Sequence, residues 1–188
     1  MKNTKMNRRT FLKVTTVAGS SLLVGCSFQS NPNISTLKAK SEDLGLWIRI
    51  SNDDSITIIS PTSELGQGTH TAHAMIIAEE LEADWKKIKV VTAPARSEYK
   101  KNLYLQSTSA NDGITSWWDR LAKIGAGTRE LLIEAGAQKM GVPAKECEAQ
   151  NGHVLHRPSS RKLSYGQLAE SASRLKPPSS PKLKSKDR

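Results

Sequence analysis

The stretch SELGQGTHTAHAM, residues 63–75, places glycine, glutamine and glycine directly before a helical pattern. Gly66 and Gly68 permit unusual backbone dihedrals and carry no side chain, so a ligand could come within hydrogen-bonding distance of the main chain. Amides of small residues at a helix N-terminus form a concave nest that suits a phosphate. Gln67 would add two donors and an acceptor. A tight strand-to-helix turn explains the same letters, because Gly-x-Gly occurs in many turns, so both interpretations stay open.

The rest of the pattern predicts the fold around this loop. Apolar residues recur at i, i+3, i+4 and i+7 after it, which predicts a helix over about residues 69–83. The other predicted elements are a hairpin over 47–59, a strand over 87–94, a helix over 116–140, a hairpin around 151–152 and a helix over 164–175. The fold class is therefore α+β, a mixed sheet with packed helices, over residues 46–175.

Two groups of side chains invite a metal interpretation that we reject. His70 and His73 lie three residues apart and could share a metal, but such a pair on a buried helix is more often packed and hydrogen-bonded. Cys147 precedes His153 and His156 across a turn signal, and no second cysteine supports a site there. We predict no metal site in either place, and we expect the three glutamates at 79, 80 and 82 to form a solvated helix end.

The net charge of +10 lies at the two ends of the 188-residue chain. Residues 1–25 hold five basic residues and no acid, and residues 174–188 hold six basic residues and one acid. The body between them is neutral, which argues against a nucleic-acid-binding face. We expect neither end to pack, and residues 176–188 are interpreted as a basic linker or tail.

Residues 1–25 are typical of an export signal. A basic start precedes an apolar stretch that is far shorter than the ~20 residues needed to span a bilayer. Arg8 and Arg9, followed by Thr-Phe-Leu-Lys, resemble the twin-arginine signal of bacteria. Residues 23–25 with Cys26 resemble a lipobox, so we predict acylation of Cys26 and a lipid anchor at the periplasmic membrane surface, with an ordinary signal peptide as the alternative. Residues 26–45 are polar and are interpreted as a flexible tether.

The ordered set of motifs resembles one enzyme family. ELGQGTHT, beginning at Glu64, is similar to the Glu-Met-Gly-Gln-Gly segment of the molybdenum hydroxylases, the xanthine dehydrogenase and aldehyde oxidase group. AEEL, VTAP, GAGTRELLIEAG and LSYGQLAESASRL follow in the order typical of the N-terminal part of isoquinoline 1-oxidoreductase β subunits. This resemblance covers nearly the whole chain, which identifies it as part of a molybdopterin-binding subunit.

The resemblance implies a cofactor, a reaction and a partner. Gly66, Gln67 and Gly68 would contact molybdopterin and its phosphate, in the plain or the cytosine dinucleotide form. The family hydroxylates aldehydes or N-heterocycles with oxygen from water and passes the electrons to an iron–sulfur subunit. Twin-arginine export agrees with this, because that route carries proteins folded around their cofactors.

The chain departs from the family in two loops and in length. Leu65 replaces methionine, which conserves volume, and residues 107–118 lack the glycine pair of the family's second cofactor loop. Family subunits are several times longer, and their base-like glutamate lies near the far end. We therefore expect no hydroxylase activity from this chain alone, with the remainder of the large subunit as a partner if it is encoded separately. A lipid-anchored periplasmic binding or assembly protein without catalysis, a truncated gene product, and a surface protein drawn to anionic lipid are the alternatives.

Overall fold

A five-stranded mixed sheet forms the centre of the protein. The computed structural model describes residues 13–17, 21–25, 47–101 and 105–185. The strands are β1 (Lys13–Val17), β2 (Ser21–Gly25), β3 (Ile48–Ser51), β4 (Ile56–Ser60) and β5 (Ile88–Thr92), in that spatial order. Neighbours from β1 to β4 are antiparallel, and β4 is parallel to β5. The predicted mixed sheet is confirmed.

The hairpin of β3 and β4 carries the main core. Ile50 lies opposite Ile56, and Ile48 lies opposite Ile58, with all four side chains buried. The turn closes because the Ser55 amide and hydroxyl both donate to the same carboxylate oxygen of Asp53, at 3.0 and 2.6 Å. Burying four isoleucine side chains contributes about 1.5–3 kcal/mol each, which makes this hairpin the principal anchor of the fold.

Two long helices pack on each other beside the sheet. α1 (Thr69–Leu81) carries the chain from β4 to β5, and such a crossover is what allows two consecutive strands to pair in parallel. α2 (Trp118–Met140) crosses α1 closely at Gly125, where an added Cβ would lie 2.7 Å from the Ile77 carbonyl oxygen. α2 ends at Gly141, whose φ of 66° suits a glycine cap. Both predicted helices are confirmed, with ends shifted by about two residues.

A small second sheet closes the C-terminal end of α1. Its strands are β6 (Cys147–Gln150), β7 (His153–His156) and β8 (Arg161–Ser164), all antiparallel. The Gly152 amide, in the turn between β6 and β7, donates to the Glu82 carbonyl at 2.7 Å, and the Tyr165 hydroxyl donates to the Leu81 carbonyl at 2.6 Å. These bonds satisfy carbonyls that a helix end leaves without an intrahelical partner. The sequence predicted the hairpin but not β8, which is short and polar.

α3 (Tyr165–Ser173) begins with a capping box and rests on the central hairpin. The Ser164 hydroxyl accepts from the Gln167 amide, and the Gln167 side chain accepts from the Ser164 amide. The Gly166 amide donates to Asp54 Oδ1 at 2.7 Å, and a Cβ at Gly166 would lie 2.6 Å from the Asn52 carbonyl oxygen. Glycine is needed there because the hairpin turn presses on the first turn of the helix.

The expectation that the C-terminal end does not pack is wrong for residues 182–184. The Lys184 ammonium lies 2.7 Å from a Glu79 carboxylate oxygen and 2.6 Å from one of Glu82, and the Lys184 amide donates to Glu80 at 3.0 Å. The Lys182 amide donates to Glu130 on α2 at 2.7 Å. Glu79 and Glu80 of α1 and Glu82 at its C-cap are therefore not a purely solvated helix end, because all three bind this tail.

β1 and β2 fall within residues predicted to form the export signal, so the expectation that the N-terminal end does not pack is wrong for residues 13–17 and 21–25. They extend the sheet beyond β3, so a chain cleaved before residue 26 would lack both strands. Arg8, Arg9, Cys26 and the predicted tether lie outside the described residues. Within the described part of the chain, no helix has the length and apolar character to cross a bilayer.

Candidate functional site

The loop between β4 and α1 is folded around its own carboxylate. Glu64 Oε1 accepts from the Gly66 amide at 2.8 Å and from the Gly68 amide at 2.9 Å, and Oε2 accepts from the His70 amide at 3.0 Å. These amides belong to the nest in which the sequence predicted a phosphate. In this structure the anion of the nest is Glu64, which lies directly ahead of the glycine-rich run.

The electrostatics of Glu64 follow from these bonds. The amide of His70 and then that of Gly68 lower the pKa of Glu64 from 4.5 to about 2. A carboxylate that accepts several backbone N–H bonds is stabilised in its charged form, and the positive end of the helix dipole acts in the same direction. Glu64 therefore stays ionised throughout the physiological pH range.

Gln67 closes the other side of the loop. Its Oε1 accepts from the Leu65 amide at 2.5 Å, and its Nε2 donates to the Ser63 carbonyl at 2.9 Å and to Thr69 Oγ1 at 3.0 Å. The side-chain amide of Gln67 thus has partners within the loop at both ends. Its backbone N–H donates to no atom of the described residues, and that N–H remains for a ligand or water.

The two glycines present open main chain. Gly66 has a φ of 97° and Gly68 a φ of 81°, and apart from each glycine and its two chain neighbours no atom of the described residues lies within 4 Å of the position that a Cβ would occupy on either residue. The side chain of Leu65, which precedes Gly66 in the chain, is 75% exposed. A flat ligand can therefore lie against this surface without meeting a side chain at either glycine, whereas an anion cannot enter the amide nest while Glu64 fills it.

His73 fixes the loop to the segment that the resemblance identified as a second cofactor loop. It is fully buried, and its Nε2 donates to the Gly113 carbonyl at 2.7 Å, while Nδ1 lies 3.0 Å from Ser60 Oγ. Burial, the largest cause, lowers the pKa of His73. The Gly113 carbonyl can only accept, so the neutral ring carries its proton on Nε2 and leaves Nδ1 as an acceptor. The single proton of the Ser60 hydroxyl is shared between Nδ1 and the Thr62 carbonyl, which lies 3.1 Å from Ser60 Oγ.

His70 has hydrogen-bond partners different from those of His73. Its Nε2 lies 3.1 Å from the Thr62 carbonyl and 3.3 Å from Thr92 Oγ1, at a different set of partners. No group of three metal-ligating side chains occurs among the residues that the structure describes. The histidine pair is packed and hydrogen-bonded.

Two further contacts join the segment 107–118 to the loop. Thr108 Oγ1 accepts from the Ser63 amide at 2.8 Å, and a Cβ at Gly113 would lie 3.1 Å from Thr69 Cγ2. The segment therefore lies against the start of α1 although it lacks the family's glycine pair. No pattern in the local sequence indicates a role for Thr108, since its partner is 45 residues away.

Cys147, His153 and His156 lie in the small sheet, at the opposite end of α1 from this loop. Cys147 is a free thiol opposite His156 in the β6–β7 register. His156 Nδ1 lies 2.7 Å from Ser159 Oγ and its Nε2 lies 3.1 Å from Glu146, and His153 Nδ1 lies 2.9 Å from the Asn151 carbonyl. These contacts hold the turns of the sheet.

Comparison with known proteins places this geometry in a family. The chain is 36% identical over 150 residues to isoquinoline 1-oxidoreductase subunit beta of Brevundimonas diminuta, covering 78% of this chain and 19% of that protein. It is 29% identical over 123 residues to the membrane-bound aldehyde dehydrogenase (pyrroloquinoline-quinone) of Gluconacetobacter polyoxogenes, covering 65% of this chain and 15% of that protein. The chain thus spans less than a fifth of the length of these curated relatives.

The fold is shared with a solved structure, quinoline 2-oxidoreductase from Pseudomonas putida 86. The TM-score is 0.51 at 16% identity, over 68% of this chain and 16% of that one, which shows likeness of fold alone. The family model described as the molybdopterin cofactor-binding domain matches residues 3–187, nearly the entire chain. The resemblance to molybdenum hydroxylases is confirmed, and the chain belongs to the molybdopterin cofactor-binding domain family.

Proposed function

We propose that the chain holds molybdopterin against the loop of residues 63–68, with the ligand over the open faces of Gly66 and Gly68 and beside Gln67. The observation that carries this proposal is the open space at the Cβ positions of Gly66 and Gly68, next to the N-terminal end of α1. The residues fit a flat group that packs on main chain, and the Gln67 N–H offers it a donor. When bound, molybdopterin supplies the molybdenum ligands and hence the redox chemistry. This chain's part is to bind and orient that group.

A pair of glycine substitutions tests the site. Gly68→Ala and Gly141→Ala both place a Cβ at a positive φ, 81° and 66°, and neither Cβ meets a protein atom within 4 Å. Their conformational costs are therefore similar, about 1–2 kcal/mol each. We expect Gly68→Ala to lose most of the bound pterin and Gly141→Ala to keep it, since only the first Cβ projects into the ligand space.

The measurement is pterin content, read as the fluorescent oxidation product, and molybdenum content of each purified variant. Thermal unfolding checks that the two variants are equally stable. Equal pterin in both would contradict the site, and release of pyrroloquinoline quinone in place of pterin would contradict the cofactor. A wild-type chain that binds neither would favour a binding or assembly role without catalysis.

We further propose that hydroxylation of aldehydes or N-heterocycles is carried out by a larger assembly of which this chain is one part. The support is that one relative is a subunit of an isoquinoline oxidoreductase and another an aldehyde dehydrogenase, and that the chain spans a small share of their length. The assembly would include an iron–sulfur electron-transfer subunit and the remainder of the large subunit, with the cofactor in its cytosine dinucleotide form. No catalytic residue is assigned within this chain, and turnover of an N-heterocycle by the 188-residue chain alone would contradict the proposal.

Export through the twin-arginine route, with lipid attachment at Cys26, is our proposal for localisation. Arg8 and Arg9 followed by Thr-Phe-Leu-Lys support the route, and residues 23–25 support processing at Cys26. The mass of the mature N-terminus tests both features.

A further inference from the structure

Glu64 occupies the place that a ligand anion takes in a backbone nest. One carboxylate receives three backbone N–H bonds from alternate residues, at 2.8, 2.9 and 3.0 Å. The donors are the amides of Gly66, Gly68 and His70, so the bonds span the whole glycine-rich run and the first turn of α1. A phosphate in this position would use the same donors and the same helix dipole.

A second polar side chain of the loop, that of Gln67, also has its hydrogen-bond partners within the loop. Gln67 bonds to the Leu65 amide, the Ser63 carbonyl and Thr69 Oγ1. Together Glu64 and Gln67 account for four backbone amides between residues 65 and 70. Gly66 and Gly68 have positive φ values in this loop, and this backbone conformation turns the bare glycine faces outward.

We propose that Glu64 is a positioning residue: its carboxylate is the resident anion of the loop, and the anionic groups of the cofactor bind outside the amides of Gly66, Gly68 and His70. The second part of this statement rests on the proposed function. The contrary arrangement is a latch, in which the cofactor expels Glu64 and takes its three amides. The two arrangements predict opposite effects when the carboxylate is removed.

The first experiment uses inorganic phosphate and needs no cofactor. Amide resonances of the full chain are followed by NMR while phosphate replaces chloride at constant ionic strength. In the wild type we expect the resonances of Gly66, Gly68 and His70 to stay unmoved, because Glu64 holds these amides. In Glu64→Ala we expect saturable shifts at all three. Shifts in the wild type, or none in Glu64→Ala, would overturn the inference.

The second experiment measures cofactor retention. Glu64→Gln keeps the size of the side chain but sets an NH₂ group against one of the amide donors. We expect it to retain about tenfold less pterin than the wild type, since hydrogen bonds to a charged group are lost. Asp84→Asn is the matched control, because Asp84 is another carboxylate that accepts from a backbone amide, that of Lys86 at 3.0 Å, at a distant turn. We expect it to retain pterin like the wild type.

Unchanged or increased retention in Glu64→Gln would overturn the positioning role, and an increase would establish the latch. The two experiments separate this inference from the proposed function. If the wild-type chain carries no pterin, the proposed function fails, and the phosphate titration still decides whether Glu64 is the resident anion.

Discussion

At the scale of single residues, His73 connects three segments that are distant in sequence. Its ring contacts Ser60 at the end of β4, 13 residues before it in the chain, and the Gly113 carbonyl, 40 residues after it. The sequence predicted a packed histidine here from helical spacing alone, and that prediction is confirmed. It gave no sign of the two partners, because neither lies at a helical spacing from residue 73.

The buried ring of His73 predicts a pH dependence of stability. Burial lowers its pKa below the ordinary 6.5, and the charge of His70 acts in the same direction, while the bond to Gly113 and the charge of Glu64 oppose them with smaller effects. Below pH 6.5 the unfolded state therefore binds more protons than the folded state, so the free energy of unfolding falls as the pH falls through this range. The check is urea unfolding across that range.

His73→Gln should remove the part of the slope just below pH 6.5 and leave the part that carboxylates produce at lower pH. His153→Gln, which removes a histidine from the small sheet, serves as the control and should keep the wild-type slope. A wild-type stability that does not change in this range would contradict the assignment.

At the scale of elements, the crossing of α1 and α2 depends on a glycine. A Cβ at Gly125 would meet the Ile77 carbonyl oxygen at 2.7 Å and Glu80 Cβ at 2.9 Å, both too close for a real contact. At Gly125 the backbone of α2 therefore lies directly against the backbone of α1. The small residues of GAGTRELLIEAG are part of the family resemblance. At Gly125 the structure shows why a small residue is needed, because the two helices cross there.

We expect Gly125→Ala to lower the free energy of unfolding, although alanine has the higher helix propensity. Alanine in place of glycine favours an isolated helix by about 1 kcal/mol. Here the helices must separate, and we expect the free energy of unfolding to fall by about 1–3 kcal/mol. Chemical denaturation measures the change. Lys123→Ala, at an exposed position of the same helix, should change stability by no more than about 0.5 kcal/mol, and a stability gain in Gly125→Ala would rule out the close crossing.

At the scale of the whole molecule, the N-terminal residues have two incompatible uses. As β1 and β2 they extend the sheet from the edge of β3. As an export signal they would be removed before Cys26, and the β3 edge would be left unpaired. An unpaired edge presents free N–H and C=O groups to other chains, so the two fates predict different solution behaviour as well as different masses.

Mass spectrometry of the protein recovered from cells distinguishes the two fates. We expect a mature chain that begins at an acylated Cys26, and we expect Cys26→Ser to abolish the lipid mass. Replacing both Arg8 and Arg9 by lysine should hold the chain in the cytoplasm, while the reverse change, of Lys2 and Lys5 to arginine, should not. An intact N-terminus at Met1 in the exported protein would contradict the signal and favour the strands.

The sequence by itself determined the family, the two hairpins, β5 and the three helices, because those depend on local periodicity, turn residues and the order of motifs along the chain. It did not predict β1, β2 or β8. The hairpin of isoleucines, the three helices and the glycine-rich loop follow from neighbours within a few residues. Tertiary structure alone decided what occupies the loop and what holds it. Three contacts join residues far apart in the chain: Ser63 with Thr108, His73 with Gly113, and Lys184 with Glu79 of α1. Such contacts leave no pattern in the local sequence.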